Sequence, residues 1–526
     1  MERTPVSLRR LDAEQLLGQM IRVMAIAAFS VIMLLLTCYS HVNYLMKVGY
    51  ATQNPVKLLL AVAAMLGVIC YTVFHPHSWM ADWFQPRIRA FTCVLFLVQI
   101  YILTNIFFIT DWDPDVVYSI IKTLQQGEKL TGWYADYLPK YANNALFLLI
   151  EEAVLRLNSY AGIIPESYEL MMMGILNCLI MSFTCYQTYQ LLFAYTKSTR
   201  CAAMGYVASV ILIGLSPWMV IGYTDTLGLL FPILILRLFS NENKGSKRQR
   251  ILIWCAIVVT AAIGYFIKPQ CLIVFIAICS VKVFRKLTKR HIFQIIALLL
   301  AFAAFSSCAS SAIKILIEQN GIVLKSERKY GWQHFLMMGL NYERNGIYSQ
   351  EDVNFSAAFS TAEERNEQNL AVAKERLISM KGNIFDHLAK KTLIAFNDGM
   401  FAWGKEGGFY QEIFEEPNLI VSPFLRSVFY TTGSRYYAWA SFVHTVWIGV
   451  LFLALVGCVL DKHPSEQTNV MRLSLLGLML FELLFEVRAR YLFTYTPFFI
   501  ILAVEGIYSA KCSFRRWLGR KLGISD

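Results

Sequence analysis

Apolar residues fill one window after another along this chain, each near the length that crosses a bilayer, with short polar stretches between them. A hydrocarbon core takes about 20 consecutive apolar residues. Windows of that kind lie at 19–41, 57–75, 89–110, 165–195, 201–221, 227–240, 251–267, 270–284, 292–318, 436–460, 470–487 and 491–509. The pattern predicts about twelve transmembrane helices. The stretch 227–240 is short and needs tilt or local bilayer thinning. One long polar region, 319–435, interrupts the series. It is too large for a linker, and its near-balanced charge and helical patterns, such as 361–380, predict an external folded domain. The expected organisation is an N-terminal transmembrane module over 1–318 with a first external loop at 111–144, an extracytoplasmic mixed domain over 319–435, and C-terminal transmembrane helices with a basic cytoplasmic tail over 436–526.

Composition agrees with this reading. Of the 526 residues 56% are hydrophobic and 14% aromatic, and the mean hydropathy is +0.48, more than a water-soluble surface tolerates. The fold class is all-α polytopic membrane protein. A net charge of +12 invites a nucleic-acid partner, but the basic residues collect at Arg9, Arg10, Arg87, Arg89, 244–250, 285–290 and 515–521. These short loops and tails all fall on one side when the N-terminus is cytoplasmic, the positive-inside pattern. No nucleic acid is expected, and the membrane lipids themselves are partners. The segment 19–41 is too long for a removable signal peptide and is taken as the first span. The cysteines lie almost wholly in apolar segments, with none in 111–141 or 319–435, so disulfides and cysteine–metal sites are not expected. No Walker, Rossmann, GxSxG or HExxH pattern occurs, which leaves ATP-driven transport, dinucleotide chemistry and zinc proteolysis without support.

The chemistry gathers at the ends of spans. Asp111-Trp112-Asp113-Pro114-Asp115 puts three carboxylates directly after the third span, where partial desolvation and mutual repulsion raise carboxyl pKa values and suit one of them to take a proton from a hydroxyl. The plainer alternative is that Asp111 ends the helix, Pro114 opens a turn and the acids face water. Paired carboxylates also suit a hard divalent cation, so a metal is an open option, though no ligand set is assigned. Tyr137, Tyr141, Asn143 and Asn144 follow, an aromatic and amide group able to line a sugar site, the tyrosines alternatively serving as interfacial belt residues. Asp225, in Tyr223-Thr224-Asp225-Thr226, reaches the same outer side, as do Lys268 and the run Arg488-Ala489-Arg490-Tyr491. Cations on the outer side oppose the topology rule, and a lipid phosphate explains them. Snorkelling to headgroups, or an ion pair of Arg490 with Glu482 and Glu486 at helical spacing, are the competing readings. In the external region, segments around His334 and over 397–409 mix aromatics, glycines and single polar groups. They build either glycan or lipid grooves or ordinary loops, and a structural role is the first expectation for His334.

In this order, Asp111-Trp112-Asp113-Pro114, the run 137–144, Tyr223-Thr224-Asp225-Thr226, Lys268-Pro269 and the run 488–491 resemble the GT-C membrane glycosyltransferases. The likeness is to bacterial members related to the protein O-mannosyltransferase and aminoarabinose-transferase group. It covers most of the chain as topology but only these stretches as motif. The resemblance implies an inverting enzyme of the extracytoplasmic face of a bacterial cell membrane. Such an enzyme moves a monosaccharide from a polyprenyl-phosphate donor to a glycan, lipid or protein acceptor, without a nucleotide. It maps Asp111 to the leading candidate for general base and Asp113 to the alternate. On the resemblance Lys268, Arg488 and Arg490 fall near the donor phosphate; from the residues themselves, Tyr491 is a further candidate there, and Tyr137, Tyr141, Asn143, Asn144, Asp225 and His334 are candidates to bind the substrate sugars. The chain departs from the family pattern in Ala142, where proline commonly precedes the two asparagines, and in the central position of its external domain. Two rival classes remain: a lipid-linked glycan flippase or exporter, and an oligosaccharide ligase or polymerase.

Overall fold

A backbone in lipid has to satisfy its own hydrogen bonds, and apolar runs therefore become helices. The computed structural model describes residues 13–39, 55–74, 83–285 and 288–522. Arg9, Arg10 and residues 286–287, with the side chains of Arg285, Lys289, Arg290 and 515–521, lie outside the described residues. The first part of the chain holds α1 (Ala13–Tyr39), α2 (Pro55–Phe74), α3 (Ile88–Ile106), β1 (Phe108–Thr110), α4 (Asp113–Gln125), α5 (Gly132–Lys140) and α6 (Ala145–Ala161). Next come α7 (Met171–Thr196), α8 (Thr199–Ser209), α9 (Thr224–Gly228), α10 (Leu230–Phe239), α11 (Lys247–Ile267), α12 (Ile273–Arg285) and α13 (Lys289–Gln319). The long polar region contributes α14 (Trp332–Gly339), α15 (Gln350–Ala357), α16 (Ala362–Met380), α17 (Ile384–Phe396), α18 (Trp403–Glu406), β2 (Tyr410–Ile413) and α19 (Ser422–Phe429). The chain closes with α20 (Tyr436–Leu460), α21 (Glu466–Leu484) and α22 (Thr496–Leu522).

Among the described residues six helices are long and apolar enough to cross a membrane: Gln15–Thr37, Gln85–Ile106, Lys247–Ile267, Ile292–Gln319, Tyr436–Leu460 and Ala489–Phe514. Two shorter apolar segments, Thr199–Gly214 and Pro269–Phe284, accompany them. The chain is thus a multi-pass, all-α integral membrane protein that contacts lipid. Helix–helix contact in lipid depends on close backbone approach at small residues, which is how α20 and α22 meet: a Cβ at Gly457 would lie 2.9 Å from the Cα of Gly506. Arg22 of α1 donates to the carbonyl oxygens of Cys458 and Val459 at 2.8 and 2.6 Å, satisfying the open C-terminal end of α20. Polar helix starts are capped, as where Ser465 accepts from the Thr468 N–H at 3.0 Å and Ser246 forms a reciprocal cap with Gln249.

Several boundaries differ from the hydropathy pattern. The third helix stops at Ile106, not at 110, because Phe108–Thr110 extends and pairs antiparallel with Tyr410–Ile413. The segment 201–221 is a helix only to Ser209; it continues as a π turn and breaks at Ser216-Pro217, since proline cannot supply the next N–H. The segment 227–240 belongs to two short helices, α9 and α10. The 470–487 run leaves the helix after Leu484, and 489–495 is a 3-10 segment ahead of α22. The polar region is helical apart from β2, whose partner strand lies in the first loop. Within it, α14 to α16 pack together. By contrast α17 joins the transmembrane body, where the Phe396 carbonyl accepts from Trp447 Nε1 at 2.8 Å.

Candidate functional site

The helix ends converge on a buried group of charges. α11 ends at Ile267 and Lys268 comes next in an extended conformation, delivering its amine to Asp225, which sits in the first turn of α9. The 3-10 segment after α21 delivers Arg490 to the same carboxylate at 3.5 Å and to Glu406 at 3.0 Å. Arg488 pairs with Glu406 at 2.6 Å and Glu486 at 2.8 Å. Three cations are therefore matched by Asp225, Glu406 and Glu486, as burial requires, because an uncompensated charge out of water costs several kcal/mol. Aromatic faces complete the enclosure: the Arg490 guanidinium lies 4.7 Å from the Trp112 ring centre and 5.5 Å from that of Tyr223, and the Lys268 amine 4.5 Å from that of Tyr491. Burial pushes the Glu406 carboxyl upward, but the two arginines outweigh it and hold it below the usual range.

Glu406 is positioned by an unusual turn. Phe401 and Ala402 both have left-handed φ, 53° and 64°, which costs free energy for residues with a Cβ. Four hydrogen bonds hold the turn. The Asp398 carboxylate accepts the N–H of Met400 at 2.6 Å and that of Ala402. Trp218 Nε1 donates to the carbonyls of Met400 and Phe401 at 3.2 and 3.1 Å. The four-residue α18 then carries Glu406 to the arginines.

The acidic loop meets this network through Asp113. The Tyr223 hydroxyl donates to Asp113 Oδ2 at 2.9 Å, and Asn144 Nδ2 donates to the hydroxyls of Tyr137 at 2.7 Å and Tyr223 at 3.4 Å. Tyr141 packs on Tyr137 and edge-on to Tyr330, with centroids 5.2 and 5.3 Å apart. Asn143 is exposed and reaches Asn144 at 3.2 Å. Asp113, Tyr137, Tyr141, Asn143, Asn144, Asp225, Lys268, Arg488, Arg490 and Tyr491 thus form one connected constellation. Asp111 stands apart from it: the side chain is exposed, and the main-chain N–H donates to the Phe409 carbonyl at 3.2 Å, next to the β1–β2 pair. His334 reaches the constellation through Tyr330, which packs on Tyr141. It is buried in the α14–α16 group, bonded through Nδ1 to Ser356 at 2.7 Å and stacked on Tyr330, and burial pushes its pKa down to about 4.

One competing reading falls away and one residue was missed. The ion pair weighed between Arg490 and Glu482 or Glu486 does not form, because the helix that would space them ends at Leu484; Glu486 pairs with Arg488, and Glu482 accepts the Arg488 N–H at 3.2 Å. The partner of both arginines is Glu406, which sequence reasoning left unassigned. Its only signal was that it is one of two acids in the aromatic and glycine-rich run 397–409. No group of three or more His, Cys, Asp or Glu side chains able to hold a metal occurs among the described residues.

Neither the curated proteins nor the solved structures contain a match to this chain. A family model does match, over residues 15–511, nearly the whole length, and its description is conserved hypothetical integral membrane protein. Together with the six apolar helices, that match shows that the chain belongs to the conserved hypothetical integral membrane protein family.

Proposed function

We propose that the chain is a GT-C-type glycosyltransferase of about twelve spans, transferring a monosaccharide from a polyprenyl-phosphate donor to an acceptor hydroxyl at the extracytoplasmic face of a cell membrane. The observation that carries this reading is the juxtaposition of Lys268, Arg488 and Arg490 with Asp113 through Tyr223, Trp112 and Asp225, at the converging ends of apolar helices. A lipid-borne phosphate diffusing in the bilayer meets guanidinium groups at such a boundary, and their forked donors match phosphate oxygens.

On this reading the donor phosphate takes the place of Glu406 as partner of the two arginines. Asp113 is the better-placed base, since it faces the cationic cluster and Asp111 does not. Asp113 takes the proton of the acceptor hydroxyl, whose oxygen attacks the anomeric carbon from the side opposite the phosphate. The carbon–oxygen bond to phosphate breaks, the electron pair leaves with the polyprenyl phosphate, and the anomeric centre inverts. Lys268, Arg488 and Arg490 stabilise the charge that develops on the leaving oxygen, and Tyr137, Tyr141, Asn143 and Asn144 border the sugar. The acceptor can be a glycan, a lipid or a protein.

The test is transfer of radiolabelled sugar by the purified protein from a panel of polyprenyl-phosphate monosaccharides. Donor consumption that depends on Asp113 supports the proposal. One observation favours the exporter alternative: every cation of the cluster is already paired with a carboxylate, an arrangement that also suits charge exchange during transport. Intact donor with labelled lipid changing leaflets in liposomes would select it.

A further inference from the structure

Where β1 meets the start of α4 lies a small, partly open cavity of about 30 Å³ lined by Thr110, Asp115, Glu151, Phe108, Ile221 and Leu170 among others. The space admits one water-sized particle and excludes any organic ligand. Three of the lining residues carry side-chain oxygens. Glu151 on α6 is 1% exposed and its Oε1 has no hydrogen-bond partner; Thr110 on β1 is 5% exposed and its Oγ1 has none either. Asp115 lies in the first turn of α4. With the Gln411 amide turned to satisfy its neighbours, its nitrogen donates to Asp115 Oδ1 at 2.9 Å and to the Thr110 carbonyl at 3.2 Å, which fixes two walls of the cavity relative to one another. The nearby Glu169 is already served by Lys122 at 2.9 Å and the Tyr118 hydroxyl at 3.0 Å, so Lys122 is committed and does not compensate Glu151.

Two carboxyl groups beside a hydroxyl, with no basic side chain forming an ion pair to either among the described residues, make an all-oxygen donor set without a protein counter-charge. From this geometry we infer that Asp115, Glu151 and Thr110 form a binding site for one small hard divalent cation of the Mg²⁺ or Mn²⁺ class. Oxygen-only donors select hard cations over zinc or copper. The small volume admits an ion but not its hydration shell, which favours a small ion over Ca²⁺ with its six to eight oxygen ligands. Two carboxylates neutralise a divalent charge and the free Thr110 oxygen supplies a third ligand, with water reaching the ion from the open side of the cavity. The ion ties β1, α4 and α6 together two residues from Asp113. It is a positioning element for the acidic loop, and the inference holds whatever the chain transfers.

The experiment uses the full chain in detergent, stripped with a chelator, titrated with Mn²⁺ and followed by the loss of the free-ion electron paramagnetic resonance signal. The expected result is saturable binding of one Mn²⁺ per chain, displaced by Mg²⁺, and weakened about tenfold or more in Glu151→Gln and in Thr110→Val. Metal-free Glu151→Gln should melt no lower than wild type, because the change removes a buried unpaired carboxyl oxygen, and this separates loss of the site from loss of the fold. Absence of saturable Mn²⁺ binding in the wild type, or equal binding in Glu151→Gln, overturns the site and leaves the cavity to a water molecule. No donor or acceptor is present, so failure here is distinct from failure of the transferase reading.

Discussion

Replacing Asp113 by asparagine removes a charge and a proton acceptor while keeping the shape and an oxygen for the Tyr223 hydroxyl, which now donates to Oδ2 at 2.9 Å. A positioned general base is worth roughly 10²- to 10⁴-fold in rate, about 3–5 kcal/mol of transition-state free energy at 1.36 kcal/mol per factor of ten. The fall in kcat for Asp113→Asn should lie in that range with donor affinity little changed, because the cations that would hold the phosphate keep Asp225, Glu406 and Glu486 around them. Asp111→Asn should retain most activity, since the side chain is exposed and the residue's contact with Phe409 runs through its main-chain N–H. The assay is sugar transfer with kcat and KM determined separately for both variants. A large loss in Asp111→Asn beside an active Asp113→Asn would refute the assignment of the base.

Glu406→Gln removes the carboxylate shared by Arg488 and Arg490; the unliganded protein should melt lower, because breaking a buried pair costs up to about 3–5 kcal/mol, and polyprenyl phosphate should raise its melting temperature more than it does for wild type. An unchanged or smaller rise would mean that Glu406 does not occupy the anion position. His334 gives a pH dependence: burial lowers its pKa from 6.5 to about 4, so the unfolded chain binds the proton more readily. The stability this contributes, about 3 kcal/mol, is complete above pH 6.5 and is lost as pH falls through about 4. Melting of wild type against His334→Gln over pH 4–7 checks it, and identical slopes would contradict it. Gly339→Ala would put a Cβ 2.5 Å from the Leu484 carbonyl oxygen, so the segment around α14 must lift from the end of α21; a loss of roughly 1–3 kcal/mol should be visible as a lower melting temperature, with no effect expected from Gly382→Ala, where nothing lies within 4 Å.

Length and period made the long helices legible. The apolar run 436–460 coincides with Tyr436–Leu460, and 361–380 with Ala362–Met380, because in both cases one local rule acts alone: backbone self-satisfaction in lipid for the first, and a Thr361 cap ahead of charged, strong helix formers for the second. The pattern fails where tertiary contacts compete with local ones. Phe107, Phe108 and Ile109 are as apolar as the helix before them, and hydropathy runs them on to Thr110. What ends the helix is β2, about 300 residues away in sequence, whose backbone pairs with Phe108–Thr110. No window of local sequence contains that partner.

The site divides along the same line. Residues such as Asp225, Lys268 and Arg490 were visible because a charge beside an apolar span is costly and therefore informative. Their mutual pairing was beyond the reach of sequence. A cation at a helix end reads equally as a phosphate ligand, a headgroup anchor or half of an ion pair, and the choice depends on the charges that arrive from elsewhere. Glu406 arrives on a turn in which Phe401 and Ala402 adopt left-handed backbone conformations, held by Asp398 and Trp218. Neither residue type advertises such a conformation. The strain is itself informative: a chain that keeps two adjacent non-glycine residues in that region, and pins them with a buried carboxylate and an indole, is holding α18 in place. That short helix ends on the carboxylate that sits between buried Arg490 and half-buried Arg488. An anion fixed at that point keeps the cluster neutral, and on the proposed function it sets a threshold that a donor phosphate must exceed. A group that displaced it would have to match two guanidinium forks at once, which a tetrahedral phosphate does better than a planar carboxylate.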